Sequence, residues 1–225
     1  MKHKRVWIVV FVGFTAWVLA VIAHGHLTGV GDAGFLLTDD GKPIHHDPMD
    51  LPLQCGYEPT VPLKLVTAWE NAAAWYEQQT GIRYTHPCVR WPTGTRPERP
   101  GKGFVRLKVR HVDGPGFGAP AVSVGPQGEH GGTASNYFDV RTGVIVQGSV
   151  VAIDDDMPPE VTDGVARHEY GHMVGLAHDE YPGSIMVPGN TSLVLDGLTT
   201  PDVKRLKKMY GHLPVTWQFR GMHGL

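Results

Sequence analysis

An α+β fold is predicted for this chain of 225 residues, because helical and strand patterns alternate along it. Residues 63–79 place apolar side chains at helical spacing and end before Gly81, and residues 160–174 form a second predicted helix. Residues 104–110 alternate between apolar and basic side chains, which is typical of a half-exposed strand. These patterns, with no internal repeat, predict one globular unit that mixes helices and strands.

Further elements follow from the same kind of pattern. Residues 82–84 and an apolar run over residues 144–153 are predicted strands, and residues 119–125 form a possible edge strand in a Gly-rich stretch. Residues 198–211 predict a closing helix, because a threonine precedes Pro201 and the apolar side chains share one face. The part of the chain after residue 50 is long enough for a single hydrophobic core.

Three histidines and one acid near the end of the second predicted helix follow the spacing H-E-x-x-H-x-x-G-x-x-H. His168 and His172 lie one helical turn apart, so their imidazoles can bind one ion from the same face. His178 would lie about 9 Å further along a continued helix, so the helix must end before it. Gly175 can turn the chain there, since it adopts the left-handed conformation at little cost. The sequence therefore predicts three metal ligands.

Glu169 directly follows the first histidine of this motif. Its carboxylate is expected beside the metal, within reach of a bound water, which suits a general base. Three neutral imidazoles with one open position are typical of a catalytic zinc site, whereas four closed ligands are typical of a structural one. An acid beside an open position has no use in a structural site, so Glu169 favours an enzyme over a zinc-stabilised binding domain.

This motif resembles the zinc motif of the metzincin metalloproteases. Residues 184–186, Ser-Ile-Met, stand where that family has its Met-turn, so the resemblance implies that Met186 forms the hydrophobic base beneath the imidazoles. Residues 198–211 resemble the closing helix of matrixin-type catalytic domains. Over residues 51–212 the resemblance implies a zincin fold, with a mixed twisted sheet, an active-site helix and a C-terminal helix.

The resemblance also implies an activity, which is that of a zinc-dependent endopeptidase with one catalytic Zn²⁺. Glu169 would assist the attack of a zinc-bound water on a peptide bond. The substrate would be a protein or peptide in extended form, paired with an edge strand. Two alternatives stay open: a catalytically silent zinc-stabilised surface domain, and a hydrolase of cell-wall peptide cross-links that uses the same atoms.

Two positions depart from the family's usual pattern. Pro188 stands where many metzincins have a tyrosine after the turn methionine, so no such tyrosine role is assigned. Asp179 follows the third histidine where matrixins usually have serine. The subfamily therefore stays open, and the compact size and closing helix favour a matrixin-like domain.

The N-terminus is predicted to meet a membrane. Residues 1–23 combine a basic start with an apolar run over residues 6–23, which is typical of a membrane anchor or a signal peptide. The positive N-terminus would stay in the cytoplasm, so the rest of the chain would be extracytoplasmic, either anchored or secreted. Residues 24–50 are predicted as a linker or stalk with solvent-exposed His45 and His46, and residues 213–225 as a C-terminal tail.

The two cysteines agree with an oxidising compartment. Cys55 and Cys88 flank the first predicted helix, and one disulfide between them is the simplest interpretation. The alternative is a zinc-capping role for Cys55, because residues 53–59 faintly resemble the matrixin propeptide segment with that function. The disulfide is favoured, because the flanking arginine of that propeptide segment is missing here and residues 24–54 are too short for a folded prodomain.

Charge limits the other partners. Residues 154–156 are three aspartates that suit Ca²⁺, but a charged loop before the helix is the favoured interpretation. The net charge of −2 and the isoelectric point near 6.7 argue against nucleic acid as a partner. A monomer is expected.

Overall fold

The computed structural model describes residues 34–92, 100–110, 131–179, 183–187 and 198–211. The predicted membrane segment (residues 6–23), the possible edge strand (119–125) and the C-terminal tail (213–225) lie outside these residues. None of the helices within the described ranges is both long and apolar enough to cross a membrane.

Five strands and three α-helices make up the described part of the chain. The strands are β1 (Gln54–Tyr57), β2 (Val89–Arg90), β3 (Phe104–Arg110), β4 (Gly132–Phe138) and β5 (Ile145–Asp154). The helices are α1 (Leu63–Thr80), α2 (Pro159–Met173) and α3 (Thr200–Tyr210), and a 3-10 turn spans Pro48–Asp50. All three predicted helices and the strands at residues 104–110 and 144–153 are confirmed, with small shifts at their ends.

The strands form one sheet in the order β2-β1-β3-β5-β4. All neighbouring pairs are parallel except β4 and β5, which are antiparallel. The register aligns Val105 with Ser149 and Ser149 with Asn136, and all three side chains are buried. This mixed sheet confirms the predicted α+β class and places β4 at an edge of the sheet described.

A cluster of aromatic side chains joins the helices. Its members, each at most 1% exposed, are Trp69, Tyr76, Tyr84, Tyr170 and Tyr210. The Tyr170 ring lies 4.7 Å from Trp69 and 4.9 Å from Tyr76 between centroids. The Tyr76 hydroxyl donates a 3.0 Å hydrogen bond to the carbonyl oxygen of Arg167 in α2. The cluster therefore packs α2 against α1, and the Tyr76 hydroxyl also binds the backbone of α2.

The prediction of a strand at residues 82–84 is wrong. Ile82 and Tyr84 are buried on either side of the exposed Arg83, which produces the alternation of a strand. The backbone there makes only one isolated bridge, between Leu53 and Thr85. Alternating burial alone does not make a strand, because a ladder also needs a partner of matching length.

The prediction of a linker over residues 24–50 is wrong for residues 34–50. Phe35 forms an antiparallel bridge with Leu176, and the Leu36 amide donates to the Gly175 carbonyl at 2.8 Å. Ile44 is 1% exposed and packs with Ile145. The composition suggested a linker, but tertiary partners satisfy the backbone and bury the few apolar side chains. The compact unit accordingly begins at Gly34 rather than at residue 51.

His46 is likewise not the exposed histidine that was predicted. Its side chain is 1% exposed, and its Nε2 lies 3.0 Å from the Ser149 hydroxyl. Its backbone amide donates to the Tyr210 hydroxyl at 3.3 Å. His45, in contrast, is only partly buried. The neighbours that bury His46 are about a hundred or more residues away along the chain, so no local pattern could indicate them.

Cys55 and Cys88 form the predicted disulfide. The bond joins β1 to the residue that precedes β2. These two strands form the end of the sheet away from β4. A disulfide sulfur is no thiolate ligand. The alternative role of Cys55 as a cap on the metal is therefore excluded for this state of the protein.

The aspartates at residues 154–156 follow β5. Asp154 is fully buried, and its Oδ2 accepts a 2.6 Å hydrogen bond from the Gly131 amide. Within the described ranges, only the three motif histidines gather three or more potential ligand groups closely enough for a metal ion. Calcium binding at residues 154–156 stays a prediction.

Candidate metal centre

The three motif histidines converge on one point. The Nε2 atom of His168 lies 3.0 Å from Nε2 of His172 and 3.1 Å from Nε2 of His178. His168 and His172 extend from the last turns of α2, and His178 approaches from the segment after the helix. The structure thus brings together all three predicted ligands with the same ring nitrogen pointing inward.

Backbone carbonyls orient two of these rings. Nδ1 of His168 donates to the Ile185 carbonyl at 2.7 Å, and Nδ1 of His172 donates to the Leu176 carbonyl at 2.8 Å. A carbonyl only accepts, so each Nδ1 carries the proton and each Nε2 has its lone pair available. Such outer contacts fix the tautomer and ring orientation of metal-binding histidines.

Burial keeps the imidazoles neutral. It lowers the pKa of His168 to about 4 and the pKa of His172 well below its ordinary value of 6.5. It also lowers the pKa of His178, which is more accessible. Neutral rings at neutral pH are the form that binds a metal, so the site does not need to lose protons before it does so.

The end of α2 brings His178 back to the other two histidines. The helix ends at Met173, and Gly175 then adopts a φ of +98°. A Cβ on Gly175 would also lie 2.3 Å from the Ile44 carbonyl oxygen. The predicted left-handed turn is confirmed, and the close approach of residue 44 is a second reason for glycine at this position.

The turn that contains Met186 supports the histidine site through backbone hydrogen bonds. The Asp179 amide donates to the Met186 carbonyl at 3.1 Å, while the preceding carbonyl, of Ile185, holds the ring of His168. The Ser184 hydroxyl accepts a hydrogen bond from the Met186 amide at 3.0 Å and stabilises the turn. The fully buried Met186 side chain lies against α2 at Gly171.

Gly171 lies in α2 at a position where the fold leaves no space for a side chain. A Cβ there would lie 2.3 Å from the Met186 Sδ atom and 2.6 Å from the Tyr76 hydroxyl. Alanine normally favours a helix over glycine by about 1 kcal/mol. Overpacking costs about 1–3 kcal/mol. We therefore expect Gly171→Ala to lower the free energy of unfolding by up to about 2 kcal/mol net.

Urea unfolding of the metal-free protein measures this change. Adding Met186→Ala to Gly171→Ala should cost less than the sum of the two single losses, because part of the clash is removed. A Gly171→Ala protein as stable as the parent would show that the helix and the Met186 turn move apart freely.

Glu169 follows His168 in α2, and its side chain occupies a crowded position. Its side chain is 3% exposed, and its Cγ would lie 2.5 Å from a Cβ on Gly132 at the start of β4. Such a Cβ would also lie 2.9 Å from Cγ1 of Val165. The absence of a side chain at Gly132 therefore lets the carboxylate lie between α2 and the edge strand.

Several residues of this site were not found from the sequence. Asn136 donates from Nδ2 to the His172 carbonyl at 2.8 Å, and the Tyr210 hydroxyl donates to the Val174 carbonyl at 3.0 Å. Gly132 and Gly171 supply space rather than chemistry. One signal was present: Ser149 is a polar residue within the predicted strand of residues 144–153, where an apolar side chain is usual.

The donor set fits zinc. A tetrahedral zinc ion with nitrogen ligands at about 2.0–2.1 Å holds those nitrogens about 3.3 Å apart. The two Nε2 separations that include His168, 3.0 and 3.1 Å, are within a few tenths of an ångström of that value, and all three ligand atoms lie within 4.8 Å of one another. Three imidazoles with no fourth protein ligand among the described residues match the donor set of a catalytic rather than a structural site.

A mixed sheet beside a helix that supplies two imidazoles, followed by a glycine turn that supplies a third, is the arrangement of a zincin-type domain. Residues 128–211, less than half of the chain, match the model of the matrixin family, and this range contains β4, β5, α2 and α3. This similarity and the three converging histidines are consistent with a matrixin-like catalytic domain of the metzincin class. The match supports a zinc metalloprotease at the level of the family.

Proposed function

We propose that this protein is a zinc-dependent endopeptidase that cleaves extended peptides outside the cytoplasm. The observation that carries the proposal is Glu169, a buried carboxylate that directly follows His168 in the helix that supplies two of the three converging imidazoles. A domain that used zinc only for stability would gain nothing from a buried acid at this point, and burying a carboxylate costs free energy.

Each residue of the site has a role in this reaction. His168, His172 and His178 hold the zinc ion, which when bound polarises a carbonyl and lowers the pKa of water to about 7. Glu169 takes the proton of the attacking water and passes it to the amine that leaves. The close approach of Gly132 limits the motion of Glu169, so the carboxylate is oriented before the substrate arrives.

Strand β4 is the proposed substrate strand. It lies at an edge of the described sheet, and its first residue, Gly132, contacts Glu169 while Asn136 contacts the end of α2. A peptide paired antiparallel with β4 would run past the catalytic carboxylate. Backbone hydrogen bonds would supply affinity along such a strand, and side-chain pockets would supply preference.

The disulfide supports the proposed location. Disulfides persist in oxidising compartments and are rare in the cytosol. The apolar run over residues 6–23, predicted to be an anchor or a signal peptide, agrees with export. We propose an extracytoplasmic enzyme, either anchored or released.

Cleavage of a diverse peptide library by the full chain tests the function. We expect cuts within peptides, identified by mass spectrometry, that stop when a chelator removes the metal and resume when stoichiometric zinc is added back. The loss should be complete within detection, because the ion supplies both the polarisation and the acidic water.

Two outcomes would contradict the proposal. One bound zinc without any peptide cleavage would favour the surface binding domain, or the hydrolase of cell-wall peptide cross-links if isolated cell wall were degraded. Cleavage that persists in chelator, in protein shown to be free of zinc, would mean that the site is not a metallopeptidase site.

A further inference from the structure

A hydrogen-bonded chain of buried side chains reaches the metal centre from the N-terminal part of the domain. We propose that His46, Ser149 and Asn136 act as positioning residues that hold the His172 end of α2 in the geometry that zinc requires. The proposal concerns metal affinity, and it rests on the zinc site of the proposed function but not on proteolysis itself.

The hydrogen bonds between these three side chains run in one direction, toward His172. The Ser149 hydroxyl donates to Oδ1 of Asn136 at 2.5 Å, and Nδ2 of Asn136 donates to the carbonyl of His172 at 2.8 Å. Ser149 has a single hydroxyl hydrogen, so its oxygen accepts the 3.0 Å hydrogen bond from Nε2 of His46. Three consecutive donors thus point toward the metal ligand, and this order fixes the tautomer of His46 and the orientation of the Asn136 amide.

All three side chains are nearly inaccessible to water. Ser149 is 0%, His46 1% and Asn136 4% exposed. Burial lowers the pKa of His46 to about 3, so the ring is neutral at neutral pH. Buried hydrogen bonds do not compete with water, and removal of one partner leaves another polar group unsatisfied. The chain is therefore suited to hold one arrangement.

The target of the chain is a critical point of the backbone. The carbonyl groups in the last turn of a helix have no partner within a continuing helix. Asn136 supplies one for His172, whose carbonyl also accepts from the Gly175 amide at 3.0 Å. The same residue binds through its ring to the Leu176 carbonyl. Asn136 thus holds the backbone of His172 at the end of the helix, and the Leu176 carbonyl holds its imidazole.

The other end of the chain is anchored as firmly. The His46 amide donates to the Tyr210 hydroxyl, which itself donates to the Val174 carbonyl at 3.0 Å. Upstream of His46, the Leu36 amide donates to the Gly175 carbonyl. The segment of residues 34–46 therefore contacts the turn that leads to His178 at two further points. These contacts explain how a segment far from the motif in sequence can act on its geometry.

A purely structural role makes a different prediction from a positioning role. A buried network that only stabilises the fold would lower the melting temperature when broken, without changing the affinity of the folded protein for zinc. Loss of an outer contact to a metal ligand typically costs 10–100-fold in metal affinity. Zinc affinity measured on folded protein separates the two.

The experiment uses Ser149→Ala, His46→Leu and His46→Gln in the full chain. Zinc dissociation constants are measured by competition with a chromophoric chelator, at a temperature where circular dichroism shows each protein folded. We expect Ser149→Ala and His46→Leu to raise the zinc Kd by about 10–100-fold. His46→Gln should lie closer to the parent, because the Gln amide reaches the position of Nε2 and can donate to Ser149.

Thr80→Val is the matched control. Thr80 is 4% exposed, and its hydroxyl also makes two hydrogen bonds, to the Tyr76 carbonyl and from the Ile82 amide. We expect Thr80→Val to lower the melting temperature about as much as Ser149→Ala does and to leave the zinc Kd unchanged. If His46→Leu does not fold, Ser149→Ala, the smallest change, decides the question.

An unchanged zinc Kd in folded Ser149→Ala would overturn the positioning role, whatever the melting temperature. A parent protein that binds zinc but cleaves no peptide would overturn the proposed function, while the Kd comparison would still decide the role of the chain. A parent that binds no zinc would overturn both.

Discussion

Replacing Glu169 with glutamine is expected to lower kcat/KM for peptide cleavage by about 10²–10⁴-fold and to leave zinc bound. Glutamine has nearly the same shape, so it fits beside Gly132, but its amide cannot take a proton from water. His168 and His172 do not depend on the Glu169 carboxylate for their orientation, because the carbonyls of Ile185 and Leu176 hold their imidazoles. Initial rates on a library-derived peptide and zinc content per protein measure both effects.

Glu160→Gln is the control for this change. Glu160 lies in the first turn of the same helix and is exposed, so the same chemical substitution there should leave cleavage unchanged. If Glu169→Gln cleaved at the parent rate, Glu169 would not be the general base. Loss of zinc together with activity would instead assign the carboxylate a role in metal binding.

Removal of the Cys55–Cys88 disulfide is expected to cause the largest loss of stability. The two cysteines are 33 residues apart, and closing a loop of that length in the unfolded chain corresponds to about 3–4 kcal/mol. For a domain of this size that loss lowers the melting temperature by roughly 6–16 °C. Thermal unfolding of the double variant Cys55→Ala with Cys88→Ala, followed by circular dichroism, measures it.

The single variant Cys88→Ala separates the cross-link from the side chains. Cys88 is only partly buried, so its truncation alone removes little packing, whereas either variant removes the cross-link. We expect the single variant to show most of the loss seen in the double variant. A melting temperature within 2 °C of the parent in both variants, below the loss expected for a loop of this length, would contradict a stabilising role for the disulfide.

The metal centre was predictable because its information is local. The spacing of His168, His172 and His178 follows from helical geometry and one turn, and Gly175 adopts the positive φ that this turn requires. The termini of the three helices were predictable for the same reason. The Thr199 side chain, for example, accepts a hydrogen bond from the Asp202 amide at the start of α3. Threonine is one of the residues preferred at this capping position.

Strand β4 shows where local information was insufficient. Its sequence, Gly-Thr-Ala-Ser-Asn-Tyr-Phe, has few of the apolar residues that mark a strand, and the only edge strand predicted was at residues 119–125. The inward positions are small or polar because α2 approaches closely: Gly132 leaves space for Glu169, and Asn136 binds the end of the helix. The small and polar residues that connect β4 to the site therefore also make the strand hard to recognise from the sequence.

By itself, the sequence determined the fold class, the three converging histidines and the disulfide pair, because the histidine motif and the two cysteines depend on residue type at short or otherwise unique spacing. Only the tertiary structure decided that residues 34–50 belong to the domain, that His46 is buried, and that Asn136 and Ser149 reach the metal centre. The physical reason is that burial and hydrogen-bond partners are properties of neighbours in space. For His46 those neighbours are 103 and 164 residues away along the chain.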